Sequence, residues 1–401
     1  MQGHIHKRVH STNDGRTTTT YYVVVDRGRD SSGRRRQKWH GGFRTRREAE
    51  AAQAKIVNDL NGGAYVSPTS LTFEAWVRDT WLPTVKSQLK VSTWDSYRRN
   101  LELHVLPRIG NRQLQQLTAP MLNALYAELL VDGRRHGAGG LGAKTVRYIH
   151  TTIHKVLSDA VDADLVPRNV AAKAKPPRPQ RVAAVEMRFW SAPELAQFLG
   201  GVAGTRLEAA WRLAAMTGMR RGEVLGLRWR DIDLDSARLS VRRALVSVAY
   251  AIVESTPKTH QARVIDLDPA TVVVLRAHRE RQETERSEWG PNYRERDLVF
   301  CQENGLPIHP DSFTQRFDRE VRCSALPRIR LHDLRHTHAS IALQAGVPVK
   351  VISERLGHES PAFTMKQYAH VIPGMQAEAA NIVAGLVAEE PSVERVRRGV
   401  S

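Results

Sequence analysis

The sequence predicts a mainly helical α+β protein whose β-structure is concentrated in two stretches of the chain. Runs of β-forming residues bounded by turn formers lie in residues 3–43 and 238–267. Elsewhere apolar residues recur at helical spacing. A basic, proline-rich stretch at 167–190 divides the helical part, and 401 residues give room for two or three domains, each with its own core.

The first residues predict a three-stranded sheet packed on one helix. Three β-type runs, at 5–10, 17–26 and 37–43, are separated by turn formers. A capping box from Thr45 to Glu48 then opens a helix that two glycines stop. Basic residues beside a tryptophan on this sheet are candidate DNA contacts, although such a run is as often a solvated turn. They are Arg34, Arg35, Arg36 and Lys38.

The next region predicts a small four-helix bundle. Pro83 and Pro107 are expected to break its helices apart. The helical patterns lie at 73–82, 93–105, 119–131 and 143–166. Most of its charged residues are ordinary surface, and those singled out as candidate DNA contacts are Arg98, Arg99, Lys144 and Arg147.

The stretch 167–190 predicts an extended basic linker, because its prolines exclude a helix and it has little to bury. Lys173 and Lys175 are its candidate contacts to a polyanion. The chain beyond it is mainly helical around a β-segment. We expect helices at 193–199, 206–216, 221–229, 269–288, 310–322 and 377–387, and strands at 238–246, 249–255 and 263–267.

The composition favours a polyanionic partner. Lys and Arg number 60 against 42 Asp and Glu, which gives a net charge of +18, and such an excess favours binding that releases counterions from a phosphate backbone. No apolar run approaches the length of a spanning helix, and the first residues lack the apolar core of a signal peptide. Cys301 and Cys323 have no paired spacing, so we expect free thiols in a reducing compartment and no metal site.

One segment, 330–370, predicts a phosphate site with a nucleophile beside it. His332 and Arg335 are three residues apart, so on a helix they share one face. Gly346 should end that helix, and Gly357 should end the next one and leave His358 just beyond it. A third short helix, starting at Ser360 and Pro361, would carry Tyr368. The side chains that converge are His332, Arg335, His358 and Tyr368.

Two further residues complete a pattern. Arg220 lies in a glycine turn between two apolar helical runs, and Lys258 lies in a turn between two β-rich runs. In order and context these six residues resemble the catalytic residues of the tyrosine recombinase (phage integrase) family, over roughly residues 70–380. The most specific pieces are the spacing of His332 from Arg335 and the ten-residue step from His358 to Tyr368.

The chemistry of phosphodiester cleavage fits these side chains. Arg220 and Arg335 can clamp the equatorial oxygens of the transition state, and Tyr368 can attack in line if a nearby base or positive charge lowers its pKa, ordinarily about 10. His332 can act as acid or base, and His358 can bond the phosphate. Glu223 would orient Arg220. The resemblance implies a 3′-phosphotyrosyl link, proton donation from Lys258 to the 5′ oxygen, and no need for metal or ATP.

The resemblance also implies a domain plan and partners. It implies that the N-terminal sheet domain binds DNA arm sites, that the helical bundle binds the core site, and that a homotetramer acts on two sites. Host DNA-bending and directionality proteins, and a bacterial cytoplasm with its nucleoid, would complete the setting. The expected segments are 1–66 (arm-binding), 70–166 (core-binding), 167–190 (linker), 191–390 (catalytic) and 391–401 (tail).

Three other interpretations remain open at this point. His332 and His336 have the spacing of a zinc protease helix, but aspartate stands where the general-base glutamate belongs. A non-catalytic DNA-binding regulator fits the net charge, but it would not need Tyr368. A type IB topoisomerase uses related chemistry, but the separate N-terminal domain favours site-specific recombination.

Overall fold

The computed structural model of the chain describes residues 3–11, 17–29, 33, 35–61, 65–134, 137–178, 188–256, 262–368, 380–381, 383–385 and 387. Helices predominate among them and the strands form three small antiparallel sheets, which confirms the predicted fold class. The chain divides into two compact units, Met1–Gln180 and Arg181–Ser401. No helix among the described residues has the length and apolarity needed to cross a membrane.

The first unit begins with the predicted three-stranded sheet and helix. The capping box is present, because the Glu48 amide donates to Thr45 Oγ1 at 3.2 Å and the Thr45 amide donates to Glu48 Oε2 at 3.4 Å. Val23 and Val25 of the sheet pack with Ala49 of the helix in a small core. The elements are β1 (Gly3–Ser11), β2 (Thr17–Arg29), β3 (Arg35–Phe43) and α1 (Arg46–Asn61).

Pro83 and Pro107 do not break the helices of the bundle, so that prediction is wrong. In both cases a π-helical turn leads into the proline, and the amide before the proline donates to the carbonyl five residues earlier, as Leu82 does to Val77. The wider turn accommodates a residue that lacks an N–H and whose ring crowds the preceding turn. The segments are α2 (Phe73–Ala75), π-helix Trp76–Trp81, α3 (Leu82–Val85), α4 (Val91–Asn100), π-helix Leu101–Val105 and α5 (Leu106–Ile109).

Two longer helices complete the bundle, α6 (Ala119–Asp132) and α7 (Ala143–Asp162). The second ends before the predicted boundary at 166 because Asp164 adopts a left-handed conformation, with φ of 55°. The Leu165 amide donates to the Ala160 carbonyl at 2.9 Å, as in a Schellman motif.

The stretch predicted to be an extended linker is partly folded. Val170–Lys173 forms a 3-10 turn, and Ala171 is buried in the core of the bundle. Asn169 caps this turn by accepting the Ala171 amide at 2.9 Å. At the other end of the stretch, Trp190 is fully buried in the core of the second unit. The prediction of an extended linker with little to bury is therefore wrong at both ends of the stretch.

The β-segment of the second unit forms two sheets. The predicted strand 238–246 is divided at residues 242–243, where the Arg243 side chain pairs with Asp231 at 2.7 Å. Ala249 and Tyr250, with φ of 48° and 65°, make the tight turn of a hairpin. One sheet has the order β4 (Ile232–Asp233), β5 (Arg238–Val241), β8 (Arg263–Asp266), and the hairpin pairs β6 (Ala244–Val248) with β7 (Ala251–Ser255).

Helices enclose an aromatic core in the second unit, in which Trp211 stacks on Phe313 with ring centroids 4.4 Å apart. The helix predicted at 221–229 ends early, at Gly226, where an added Cβ would lie 2.9 Å from the backbone of Ala244. The described residues of the predicted tail helix 377–387 are helical, and its other residues lie outside the described part. The helices are α8 (Ala192–Gly201), α9 (Glu208–Thr217), α10 (Arg221–Leu225), α11 (Pro269–Trp289) and α12 (Pro310–Cys323), with 3-10 turns at Trp229–Asp231 and Gly290–Asn292.

The three short helices predicted near the end of the second unit are present as α13 (Asp333–Gln344), α14 (Val349–Leu356) and α15 (Pro361–Tyr368). Gly346 and Gly357 are left-handed, with φ of 76° and 63°, and they separate the helices as predicted.

Candidate active site

Two left-handed glycines place the backbone carbonyls around which the site is built. Gly218 ends α9 and Gly357 ends α14. Arg335 Nη1 donates to the carbonyls of Gly218, at 2.8 Å, and Leu356, at 2.7 Å. Arg220 Nη2 donates to the Gly357 carbonyl at 3.1 Å. Both guanidinium groups are therefore held at the turn that ends α14.

The guanidinium of Arg335 is almost fully buried, with 3% of the residue exposed. Its Nη2 atom is buried and has no hydrogen-bond partner within the part of the chain that the structure describes. Burial, followed by the charge of Arg220, lowers the pKa of Arg335 to about 9, so this group remains a cation at neutral pH. A buried, charged N–H group without a partner is suited to an anionic oxygen.

Glu223 joins Arg220 to an arginine that the sequence analysis did not single out. Its carboxylate accepts Arg220 Nη1 at 2.9 Å, and Arg263 of β8 holds both of its oxygens, at 3.1 and 2.6 Å. Arg263 Nε also donates to the Arg355 carbonyl at 2.9 Å. Burial raises the pKa of Glu223, but the hydrogen bonds and charge of Arg263 and the charge of Arg220 outweigh it and lower this pKa to about 2.

Tyr368, at the end of α15, is fully buried. Its hydroxyl lies 2.8 Å from Nδ1 of His336, a residue that the predicted catalytic set does not include. Burial raises the pKa of Tyr368 to about 12, with Arg335 acting in the opposite direction. Burial, followed by the charge of His332, lowers the pKa of His336 to about 4, so at neutral pH a neutral imidazole faces a protonated phenol.

His358 and His332 lie on either side of this pair. The His358 ring stacks near Tyr368, with centroids 6.5 Å apart, and its Nδ1 lies 2.7 Å from Thr364 Oγ1. Burial, followed by Arg335 and Arg220, lowers the pKa of His358 to about 3. His332 meets His336 edge to face, with centroids 5.2 Å apart. His332 is the N-cap residue of α13 and has helical backbone angles, with φ of −67° and ψ of −24°. The Arg335 amide donates to its carbonyl at 3.2 Å, so His332 and Arg335 lie in the same first turn, as the predicted shared face requires.

Five of the six predicted catalytic residues thus lie in one connected cluster, and the sixth, Lys258, lies outside the described residues. Three neighbours were missed: Arg263, His336 and Thr364. His336 follows Arg335 directly, so its position beside the motif was the available signal. Arg263 is 40 residues from Glu223, and nothing local in the sequence indicates that pairing.

The candidate DNA contacts of the first unit differ in their surroundings. Arg98 is already paired with Asp95 at 2.6 Å and Glu102 at 2.7 Å, which makes it the weakest candidate. Lys38 is half-buried, and Arg34 and the side chains of Arg35 and Arg36 lie outside the described part. The exposed candidates are Arg99, Lys144, Arg147, Lys173 and Lys175.

The alternative of a zinc site finds no support in the geometry. Within the described residues, no group of three or more His, Cys, Asp or Glu side chains is arranged to hold a metal ion. His336, the second histidine of that motif, instead contacts the Tyr368 hydroxyl.

Family models place the chain in a class of DNA strand-breaking and rejoining enzymes, the tyrosine recombinases. Residues 188–374 match the model of the phage integrase family, residues 11–60 that of an arm DNA-binding domain, and residues 72–130 that of the N-terminal SAM-like domain of phage integrases. The chain belongs to the phage integrase family of tyrosine recombinases. It is a site-specific DNA recombinase of the kind that integrates or excises phages and mobile elements.

Relatives support this over most of their length. A XerC-like tyrosine recombinase of Caldanaerobacter subterraneus is 28% identical over 90% of this chain and 94% of its own length. The ICEBs1 integrase of Bacillus subtilis is 27% identical over 84% and 89%.

Solved structures show the same fold. The Tn1549 transposon integrase in complex with transposon right end DNA has a TM-score of 0.62 at 16% identity, covering 78% of this chain and 99% of the other. A lambda integrase tetramer bound to a Holliday junction has a TM-score of 0.53 at 18% identity, covering 88% and 96%.

Proposed function

We propose that Tyr368 attacks a DNA phosphodiester in line and forms a phosphotyrosyl link to the 3′ phosphate. The observation that carries this proposal is the convergence of Arg220 and Arg335 on one turn, close enough to a buried tyrosine for Arg335 to influence its pKa. Two guanidinium groups suit the equatorial oxygens of the transition state, where negative charge accumulates. The vacant bonding capacity of Arg335 Nη2 suits one of those oxygens.

The remaining residues have supporting roles in this proposal. When Thr364 donates to Nδ1 of His358, Nε2 of that ring carries the proton and can donate to the phosphate. Lys258 protonates the departing 5′ oxygen, and His332 assists proton transfer. Glu223 holds Arg220 in place by accepting a hydrogen bond from its Nη1. Because the phosphotyrosyl link conserves the energy of the broken bond, a 5′ hydroxyl from a second DNA can reverse the step without ATP.

The partners follow from the same scheme. Double-stranded DNA is bound at core sites by the helical bundle, 70–166, and at arm sites by the N-terminal sheet domain, 1–66. Four copies act on two sites through a four-way junction, with host bending and directionality proteins as accessories. The place of action is the bacterial cytoplasm, on the nucleoid. The net charge of +18 supports binding to a phosphate backbone.

Covalent capture tests the proposal. The protein is mixed with fragmented DNA from its source in the presence of a chelator and denatured in detergent, and the attached DNA is sequenced. Tyr368→Phe should abolish the adducts and retain DNA binding. Tyr293→Phe, which removes a hydroxyl from another tyrosine of the same unit, is the matched control and should retain them.

The distribution of adducts separates the alternatives. Adducts that converge on one short inverted repeat would support recombination. Adducts scattered along the DNA, with relaxation of supercoils, would favour a topoisomerase, and tight binding without any adduct would favour a regulator.

A further inference from the structure

The hydroxyl of the proposed nucleophile is held by a residue outside the six-residue set. His336 lies in the first turn of α13 and Tyr368 ends α15, and the distance between His336 Nδ1 and the Tyr368 hydroxyl oxygen is 2.8 Å. Their ring centroids are 5.7 Å apart. His332, the histidine expected to act as acid or base, contacts the ring of His336. The histidine best placed to exchange a proton with the phenol is therefore His336.

We propose that His336 is the general base that takes the proton of Tyr368 during strand cleavage and returns it during rejoining. The inference rests on the proposed phosphotyrosyl mechanism. In cleavage the phenolic proton moves to Nδ1 while the phenolic oxygen bonds to phosphorus and the 5′ oxygen leaves with a proton from the acid, Lys258. In rejoining the 5′ hydroxyl attacks phosphorus, its proton returns to that acid, and Tyr368 departs with the proton held by His336. No oxidant, reductant or further co-reactant is needed.

The surroundings of His336 keep it able to accept a proton. Because the imidazole is neutral at neutral pH, Nδ1 is free to accept when Nε2 carries the ring proton. Burial is the main cause of the lowered pKa of His336. The titratable and charged groups that influence or face its ring are His332, Asp333, Arg335, Arg330, His358 and Tyr368. Since the Tyr368 phenol is a much weaker acid than the protonated imidazole of His336, proton transfer should accompany formation of the P–O bond instead of preceding it.

A structural role predicts a different outcome from a chemical one. Asparagine at this position can present an amide oxygen near the place of Nδ1, so His336→Asn can keep the hydrogen bond from Tyr368 but cannot take its proton near neutral pH. His332→Asn is the comparison variant, because it removes the adjacent imidazole and leaves His336 beside Tyr368. Its rate should fall because the assistance proposed for His332 is lost, but its pH profile should stay flat. Protection of the buried Cys301 thiol from labelling, in a Cys323→Ser background, shows whether both variants keep the fold of the second unit. Gel shifts show whether they still bind DNA.

The assay uses a DNA substrate whose scissile 5′ bridging oxygen is replaced by sulfur. A thiolate leaves without an acid, so the single-turnover rate of covalent adduct formation reports only activation of the nucleophile. General-base catalysis contributes about 10²–10⁴-fold. With His336→Asn we expect a loss of that order at pH 7, and a rate that rises about tenfold per pH unit from pH 6 to 8 because hydroxide must replace the base. The wild-type rate should be flat over this range.

The result that overturns the inference is a His336→Asn rate within a few-fold of wild type with a flat pH profile. A wild-type rate that itself rises tenfold per pH unit would also overturn it, and this measurement needs no variant. A rate that rises with pH in His332→Asn but stays flat in His336→Asn would overturn the inference as well. If wild type gives no Tyr368 adduct with either substrate, the proposed function fails, and that outcome is separate from a failure of His336 alone.

Discussion

Replacing Glu223 with glutamine should destabilise the second unit by about 3 kcal/mol at neutral pH. The carboxylate is 2% exposed and its pKa is lowered from 4.5 to about 2, a difference that corresponds to about 3 kcal/mol. An independent expectation for removing one partner of a buried ion pair is about 3–5 kcal/mol. Glutamine also turns amide hydrogens towards Arg220 or Arg263, so its similar size does not restore the pairing.

The sign of the pH dependence follows from the direction of this pKa change. A lowered folded-state pKa stabilises the fold above the unfolded value of 4.5, and that stability is lost as pH falls towards 2. The wild type and Glu223→Gln should therefore differ by about 3 kcal/mol at pH 7 and by about 1 kcal/mol at pH 3. The difference should nearly vanish at pH 2, where about half of the wild-type carboxyl is protonated in the folded state.

Cys301 provides the assay, because it is a buried thiol of the second unit. In a Cys323→Ser background, which removes the exposed thiol, labelling across a urea gradient with a pyridyl disulfide reports unfolding of this unit in the full chain. Glu280→Gln, which alters an exposed carboxylate on α11, is the control and should leave the midpoint unchanged. A difference below about 1 kcal/mol at pH 7, or one that is still about 3 kcal/mol at pH 3, would refute the reasoning.

Three further outcomes are expected. Gly357→Ala should lower stability by about 1–2 kcal/mol through left-handed strain. It should also impair adduct formation, because its Cβ would lie 2.9 Å from Arg263 Nη1. Gly346→Ala has equal strain but open space around its Cβ, so it should retain activity in the same capture assay. Arg335→Lys should reduce cleavage by about 10²-fold or more with binding retained, because lysine cannot hold two carbonyls and a phosphate together; single-turnover rates would contradict this if they stayed within tenfold of wild type. DNA binding in gel shifts should weaken by about 10³-fold or more between 50 and 200 mM salt, and an unchanged affinity would exclude extensive phosphate contact.

Local rules account for much of what the sequence predicts. The Thr45 capping box and the stops at Gly346 and Gly357 depend on residues within one or two turns, and all three are present. The errors arise where tertiary contacts override a local preference. Pro83 is tolerated because a π-turn precedes it, and the predicted strand 238–246 divides because Arg243 pairs with Asp231.

The site is harder to predict than its motif because its connections are long-range. The His336 side chain meets Tyr368 across 32 residues, and Arg263 reaches Glu223 across 40. Neither spacing has a periodicity that a sequence pattern could reveal. The recognisable motif fixes which side chains are present, whereas the packing of α13 against α14 and α15 decides which of two adjacent histidines reaches the phenol.

The backbone carbonyls give this cluster its electrostatic character. Arg335 is positioned by neutral acceptors, the Gly218 and Leu356 carbonyls, so its charge is oriented without being neutralised. Arg220 and Arg263 pair with one carboxylate, that of Glu223, and Arg335 pairs with none of the described carboxylates, which leaves a charge of +2 on these four side chains while the histidines are neutral. A phosphodiester carries −1, and in the proposed reaction the transfer of the phenolic proton to His336 brings the pentavalent state to −2 and the cluster to +3. The positive charge of the cluster thus rises together with the negative charge of the phosphorus centre, so the cluster attracts the transition state more strongly than the bound DNA, which is the condition for accelerating the chemical step.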